Sequence, residues 1–104
     1  MSKRKIAARG VIRVEVKMPP VVELDSEAHA AYVRVSPNAV ACTEVVDNRK
    51  CIVTIDRDEH GDAVGIELVG VDIFNIETLL KKAKVSLSKT AVRRTSYVPA
   101  ALPA

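Results

Sequence analysis

The sequence predicts an α+β domain in which an antiparallel β-meander sheet of four to five short strands carries one C-terminal helix packed on a face. Short runs of β-branched and aliphatic residues are separated by polar turns, which is typical of an antiparallel meander. After Gly70 the apolar residues recur at helical spacing instead. A chain of 104 residues forms one domain with a modest core, and this core is aliphatic because only three residues are aromatic.

The central element is a predicted β-hairpin over residues 52–69. Two β-branched runs, Ile52–Ile55 and Val64–Val69, flank a polar turn. Gly61 in that turn can take a positive φ without a Cβ clash, as a hairpin loop requires. The other strands are expected beside this hairpin, with the helix over it.

A second hairpin is expected immediately before the first. The run Val40–Val46 is predicted to pair with Cys51–Ile55 around a turn at residues 47–50. This register places Cys42 opposite Ile55, too far from Cys51 for a disulfide. Two free, reduced cysteines are typical of a cytoplasmic protein.

Further strands are predicted nearer the N-terminus. Residues 11–17 alternate apolar and polar side chains, which indicates a half-buried strand that Pro19–Pro20 ends. Because prolines cannot donate to a sheet ladder, this strand is placed at a sheet edge or paired with a second chain. Val21–Asp25 and Tyr32–Val35 are the next two short strands, and turn chemistry follows at residues 36–38.

The helix is predicted over Ile73–Val85. Its apolar residues share one face, with lysines beside and opposite them. This stripe consists of Ile76, Leu79, Leu80, Ala83 and Leu87. Asp72 or Asn75 can cap the first turn, and Glu77 suits the positive end of the helix dipole.

Charge divides the chain into three segments. Residues 1–20 hold six Lys and Arg against one Glu, residues 21–72 hold four against eleven acidic residues, and residues 73–104 hold six against one. We predict a basic N-terminal extension with one strand over residues 1–20, a β-rich domain ending in the helix over 21–85, and a loose basic tail over 86–104. An acidic body with basic ends can self-associate or present its ends to an anionic partner.

Two stretches carry a family signature, LDSEAHAAYVRV and VACTEVVDNRKCIVTIDRDEHGDAVGIELV. They resemble the small family catalogued as domain of unknown function 2283, over about half of the chain (residues 22–70). Its members read Y-D-x-x-A-D-x-L-Y-I and then D-x-D-x-x-G-x-x-x-G-I-E. The second pattern is matched at Asp56, Asp58, Gly61, Gly65, Ile66 and Glu67. The resemblance implies a small β-rich domain of bacterial or phage origin, without an assigned activity, in an antitoxin-like or phage accessory role.

The pattern closest to a metal site begins at Asp56. Counting it as position one puts Asp58 at three, Gly61 at six and Glu67 at twelve, as in an EF-hand, but His60 replaces the oxygen ligand at position five. An EF-hand loop joins two helices, whereas these flanks are predicted strands. We therefore favour a solvated hairpin turn, and we predict no metal and no cofactor. A calcium-binding module remains the third candidate function.

The sequence also argues against an enzyme. A general acid–base site needs carboxyl groups in a pocket, and one sheet with one helix has little room for such a pocket. The chain has no nucleophile elbow, phosphate-binding glycine loop or H-E-x-x-H motif. It also lacks the roughly 18 consecutive apolar residues of a membrane span and the apolar run of a secretory signal. We expect a cytoplasmic protein that does not act at a membrane.

These observations favour a non-enzymatic, cytoplasmic protein-interaction module that forms a homo-oligomer and can bind a basic protein partner. The residues predicted to contact a partner are Asp56, Asp58, Glu67, Leu87 and Val92. Exposed edge strands allow partners to add to the sheet. Leu87 and Val92 are placed at a homodimer contact, with the Val11–Lys17 strand exchanged between chains.

The alternative is a nucleic-acid-associated protein that binds phosphates through its basic ends. The residues predicted for this role are Lys3, Arg4, Lys5, Arg9, Lys89, Arg93 and Arg94. It is the less favoured function, because aromatic stacking platforms are nearly absent and the acidic body repels phosphates.

Overall fold

The computed structural model describes residues 10–100. In that range the chain forms eight strands and two helices. The strands are β1 (Ile12–Arg13), β2 (Val21–Asp25), β3 (Ala30–Arg34), β4 (Cys42–Asp47), β5 (Ile52–Arg57), β6 (Ala63–Val69), β7 (Val85–Ser86) and β8 (Ser96–Pro99). The helices are α1 (Ile76–Ala83) and α2 (Lys89–Arg93).

Six of these strands form one sheet in the order β4-β5-β6-β3-β2-β8. Neighbouring strands are antiparallel except β2 and β8, which are parallel. β1 and β7 form a separate parallel pair. The predicted α+β class with a mostly antiparallel sheet is confirmed. Within residues 10–100, however, the sheet has six strands instead of four to five, and there are two helices instead of one.

The central hairpin is confirmed as β5 paired with β6. Thr54 lies opposite Glu67 and Ile55 opposite Ile66. Gly61 in the connecting turn has φ +83°, the left-handed conformation expected for it. The register shifts between Asp56 and Arg57, as in a β-bulge, which raises the local twist of this hairpin near its turn.

The second hairpin forms between β4 and β5, but its predicted register is wrong. Cys42 lies opposite Arg57 and not opposite Ile55. A further shift in register between Val45 and Asp47 and a turn that extends to Cys51 account for the difference. Both cysteines are free, as predicted.

Helix α1 confirms four residues of the predicted stripe and the Asn75 cap, but it spans Ile76–Ala83 instead of Ile73–Val85, and Leu87 lies beyond its end. The Asn75 side chain accepts a hydrogen bond from the Thr78 amide at 2.8 Å, which satisfies one of the free N–H groups of the first turn. The residues of α1 that face the sheet are buried, namely Ile76, Leu79, Leu80 and Ala83. Lys84, in a left-handed conformation, ends the helix. Neither helix of the described chain has the length and apolar run that a membrane crossing requires.

The core lies between α1 and one face of the six-stranded sheet. Strand pairing places Val22, Val33 and Ile66 in one row across β2, β3 and β6. These side chains are at most 1% exposed, and Leu79 of α1 is fully buried in the same cluster. Burial of each such side chain contributes about 1.5–3 kcal/mol, so this apolar row holds the helix on the sheet.

The N-terminal strand is shorter than predicted and pairs within its own chain. The alternation is confirmed, since Ile12, Val14 and Val16 are half-buried against the core and their neighbours are exposed. Only Ile12–Arg13 form strand pairs, however, and they pair in parallel with Val85–Ser86. Within this chain the strand therefore has a partner, and its exchange between two chains stays a prediction.

The described part of the tail predicted to be loose, residues 86–100, contains α2 and β8. Ser88 caps α2 by accepting a hydrogen bond from the Ala91 amide. β8 then adds to the edge of β2, whose backbone groups would otherwise lack partners. The Tyr97 hydroxyl accepts a hydrogen bond from the Ile76 amide at 2.8 Å, which ties β8 to the start of α1.

Candidate functional site

The face of the six-stranded sheet opposite α1, here called the open face, carries the candidate site. Alternation of side chains along each strand determines which residues share this face. One cross-strand row contains Val45, Thr54, Glu67, Tyr32, Glu23 and Val98. The next row contains Thr43, Asp56, Gly65, Arg34, Val21 and Ser96. Apart from Gly65, all of these residues are exposed or half-buried, in contrast to the buried residues of the face under α1.

Tyr32 lies at the centre of the open face, directly over Gly65. A Cβ atom built on Gly65 would come within 2.1 Å of the Tyr32 ring, so any larger residue there would displace the ring. The Tyr32 hydroxyl donates to Asp56 Oδ2 at 2.8 Å. The Arg34 guanidinium lies 5.1 Å from the ring centroid, in cation–π range. The ring is therefore held in one orientation by contacts on three sides.

Carboxylates on both sides of Tyr32 are oriented by neighbouring side chains. Asp56 accepts a second hydrogen bond, from Thr43 Oγ1 at 2.5 Å. Glu23 accepts one from Arg34 Nε at 3.1 Å. These contacts connect β4, β5, β3 and β2 across the open face, so the polar groups there form an ordered network.

Burial, and next the hydrogen bond to the Asp56 carboxylate, raise the pKa of Tyr32 well above its usual value. The phenol therefore stays protonated across the physiological pH range. Tyr32 acts in this arrangement as a hydrogen-bond donor with an aromatic surface. It is not suited to abstract a proton.

A shallow hollow of about 430 Å³ lies on the open face around Tyr32. Four carboxylates line it, contributed by Glu23, Asp25, Asp56 and Glu67. Arg34 is the one basic side chain among the described residues that line it. The hollow therefore favours cationic groups.

Asp58, predicted to contact a partner with Asp56 and Glu67, is instead built into the hairpin turn. Its side chain is nearly buried, and its carboxylate accepts hydrogen bonds from the His60 and Asp62 amides and from the Asn38 side chain. These bonds, the one from Asn38 first, lower the pKa of Asp58 to about 2. Asp58 therefore organises the turn.

The structure directs the carboxylates of the EF-hand-like pattern to different partners. Asp56 bonds to side chains on the open face, and Asp58 bonds to the turn and to Asn38. Among residues 10–100, no group of three or more His, Cys, Asp or Glu side chains is arranged to hold a metal ion. The acidic turn has a structural function in this fold.

The remaining predicted site residues lie away from the open face or outside the described range. Leu87 and Val92 are half-buried and pack against the chain's own core, which accounts for their apolar side chains without a partner. Lys89, Arg93 and Arg94 are exposed on or just after α2. The other predicted phosphate contacts, Lys3, Arg4, Lys5 and Arg9, lie outside the described residues.

Asp56 and Glu67, which the sequence predicted as partner contacts, line the hollow, but the residues that surround them were not predicted. Tyr32, Arg34 and Glu23 sit on strands whose neighbours in the sheet could not be assigned from local pattern. One signal was available, since a glycine within a strand, as at Gly65, often marks the close approach of another group.

We predict that Gly65→Ala lowers the free energy of unfolding by about 1–3 kcal/mol, because the new methyl group overlaps the Tyr32 ring. Urea unfolding followed by circular dichroism measures this change. Gly10→Ala is the matched control, since nothing lies within 4 Å of a Cβ at that position. In a Tyr32→Ala background the cost of Gly65→Ala should fall. An unchanged cost there would contradict the stacking of Tyr32 on Gly65.

We predict that Asp58 makes folding sensitive to acid. Its folded pKa of about 2 lies below the ordinary value of 3.8, so its stabilisation is present above pH 3.8 and is lost as pH falls through about 2. Asp58→Asn should therefore lower stability near neutral pH and flatten the loss of stability in acid. Urea midpoints across this pH range test it, with exposed Glu59→Gln as the control. Equal acid slopes for wild type and Asp58→Asn would show that Asp58 does not contribute.

Comparisons with known proteins bear on this fold and face. A family model described as "Protein of unknown function (DUF2283)" matches residues 22–75, just over half of the chain. The matched range covers β2, apart from its first residue, through β6, and so the Tyr32, Asp56, Gly65 and Glu67 positions of the open face. Searches of curated proteins and of solved structures returned no match. The chain belongs to the DUF2283 family of proteins of unknown function.

Proposed function

We propose that the chain is a non-enzymatic protein-interaction module that binds a lysine- or arginine-rich segment of a partner protein on its open face. The observation that supports this proposal is the ring of four carboxylates around Tyr32 on the sheet face that α1 leaves uncovered. Complementary charge speeds encounter with a basic partner and determines the orientation of docking.

Arg34 illustrates the contacts that a partner's cation would make. Its guanidinium lies over the Tyr32 ring and its Nε donates to Glu23. Asp56 and Glu67 line the same hollow. An arginine or lysine of a partner would therefore meet further carboxylates beside the Tyr32 ring, of the same chemical kind as the Glu23 carboxylate that holds Arg34.

Exposed aliphatic side chains beside the hollow favour a polypeptide over a small cation. Val45 is 49% exposed and Val98 is 40% exposed, and both lie in the Tyr32 row. Val40, 48% exposed, lines the hollow itself. A peptide with alternating basic and apolar residues can use both kinds of contact, as protein interfaces commonly do.

We place this module in the cytoplasm of a bacterium or phage-infected cell, as an antitoxin-like or accessory protein that masks a basic partner. The two free cysteines support a reducing compartment. The family resemblance supports the origin and the accessory role. Self-association belongs to the same proposal and is supported by the opposite charges of the acidic body and the basic ends.

Nucleic-acid binding is the second candidate function. Lys89, Arg93 and Arg94 support it, since they are exposed close together on and beside α2. The acidic open face opposes it by repelling phosphates. Retention of nucleic acid that falls steeply with salt would favour this candidate.

The decisive experiment is affinity capture from host lysate, with and without nuclease treatment, with matched variants. Asp25→Asn with Glu67→Gln removes two charges from the hollow but keeps the shape of each side chain. Glu59→Gln with Glu77→Gln removes two exposed charges elsewhere. We expect the wild type and the second variant to retain one basic protein, and the first variant to retain at least about tenfold less, since two charge-assisted contacts are lost.

Three outcomes would contradict the proposal. Equal retention by both variants would show that the open face does not bind the partner. Capture that disappears after nuclease treatment, or recovery of this chain alone, would replace the basic partner with nucleic acid or with self-association.

A further inference from the structure

A second concave surface lies at the end of the sheet where α1 terminates. Its charge is opposite to that of the acidic hollow, because most of its lining residues are cationic. It has a volume of about 420 Å³ and is here called the basic pocket. The β4–β5 turn, the residue after β6 and the C-terminal end of α1 form its walls. Its lining residues are Asp47, Arg49, Lys50, Cys51, Gly70, Lys81, Lys82 and Lys84.

Five of these eight residues are cationic and one is acidic. The acid, Asp47, is engaged by Arg49, whose Nε lies 3.4 Å from Asp47 Oδ1 and whose amide donates to the same oxygen at 3.1 Å. This contact shapes the β4–β5 turn, so that Arg49 and Lys50 are presented beside α1. The pocket therefore keeps a clear excess of positive charge after its internal ion pair is counted.

The helix dipole explains part of this cluster but not all of it. Lys81 and Lys82 lie in the last turn of α1, where the negative end of the dipole favours cations. That end is equivalent to about half an elementary charge, far less than the positive charge gathered here. Arg49 and Lys50 are also not on the helix but come from a turn about 30 residues earlier. Their convergence on Lys81 and Lys82 requires the tertiary fold.

We propose that the basic pocket binds a compact oligophosphate, such as inorganic pyrophosphate or the diphosphate group of a nucleotide. Lysine ammonium groups bind phosphate as point charges, and the arginine guanidinium offers a planar pair of donors. The pocket has the size of a small-ligand site. This ligand site is independent of the open face and of the partner proposed for it.

The arrangement favours a compact anion over a nucleic-acid backbone. The cations converge on one hollow, whereas a backbone site needs a row of cations along an extended groove. The exposed cations of α2, Lys89 and Arg93, do not line this pocket. A single concave cluster matches the charge density of linked phosphates.

The reactivity of Cys51, which lies in the pocket wall, can report whether a ligand is bound. Its thiol is half-buried in the wall, and burial raises its pKa even though Lys82 acts in the opposite direction. The thiol is therefore a weak nucleophile and a slow target for alkylating reagents. Cys42 is exposed on β4, outside the pocket, and serves as an internal reference in the same chain.

The test measures alkylation of both cysteines by mass spectrometry, with and without pyrophosphate at constant ionic strength. We expect pyrophosphate to slow alkylation of Cys51 at least about threefold at saturation without changing Cys42, as expected when a bound ligand shields a pocket wall. Lys50→Gln with Lys81→Gln should abolish this protection. Lys89→Gln with Arg93→Gln removes two cations outside the pocket and should leave it unchanged.

Several results would overturn the proposal. Equal slowing of Cys42 and Cys51 would indicate a general salt effect, and equal loss of protection in both variants would indicate diffuse electrostatics. Protection by an oligonucleotide but not by pyrophosphate would assign the pocket to a nucleic-acid backbone.

Circular dichroism is the control for folding. Unaltered spectra of both variants would show that loss of protection is not loss of folding.

Discussion

The fold covers a six-stranded sheet with a single eight-residue helix, α1. One face of the sheet is therefore buried under α1, and the other face stays accessible to solvent. α1 packs on one face, where it excludes solvent from the apolar row across β2, β3 and β6. The opposite face has no helix over it in the described chain and is composed of polar, acidic and scattered aliphatic side chains. A single-layered sheet of this kind needs polar contacts to order its second face, and the Tyr32 network provides them.

The Tyr32 network also links the fold to the proposed function. Gly65 leaves room for the ring, Asp56 takes its hydroxyl, and Arg34 lies over its surface. The same residues define an acidic hollow, while the end of α1 and the β4–β5 turn define a basic one. The fold therefore gathers side chains of opposite charge on two distinct concave surfaces, and we propose a different ligand for each.

Local pattern predicted the elements that depend on neighbouring residues. The β5–β6 hairpin with its turn at Gly61 and the Asn75 cap of α1 are of this kind, because the relevant contacts span few residues. The pairing of β8 with β2 joins residues about 75 positions apart, and nothing in the local sequence of either strand indicates a parallel partner at that distance. The same limit applies to the site. Asp56 and Glu67 stand out as acidic residues, but the pairing of Tyr32 with Glu67 and its hydrogen bond to Asp56 follow only from strand order.

The most direct test of the open face as a binding surface is an NMR titration of the isotope-labelled protein with a peptide rich in lysine and arginine. The account predicts saturable amide shifts that are largest at Glu23, Tyr32, Asp56 and Glu67 and small on α1. Tyr32 should respond strongly because its ring lies at the centre of the hollow. Shifts that spread evenly over all acidic residues, or that centre on the hairpin turn around Asp58, would contradict it.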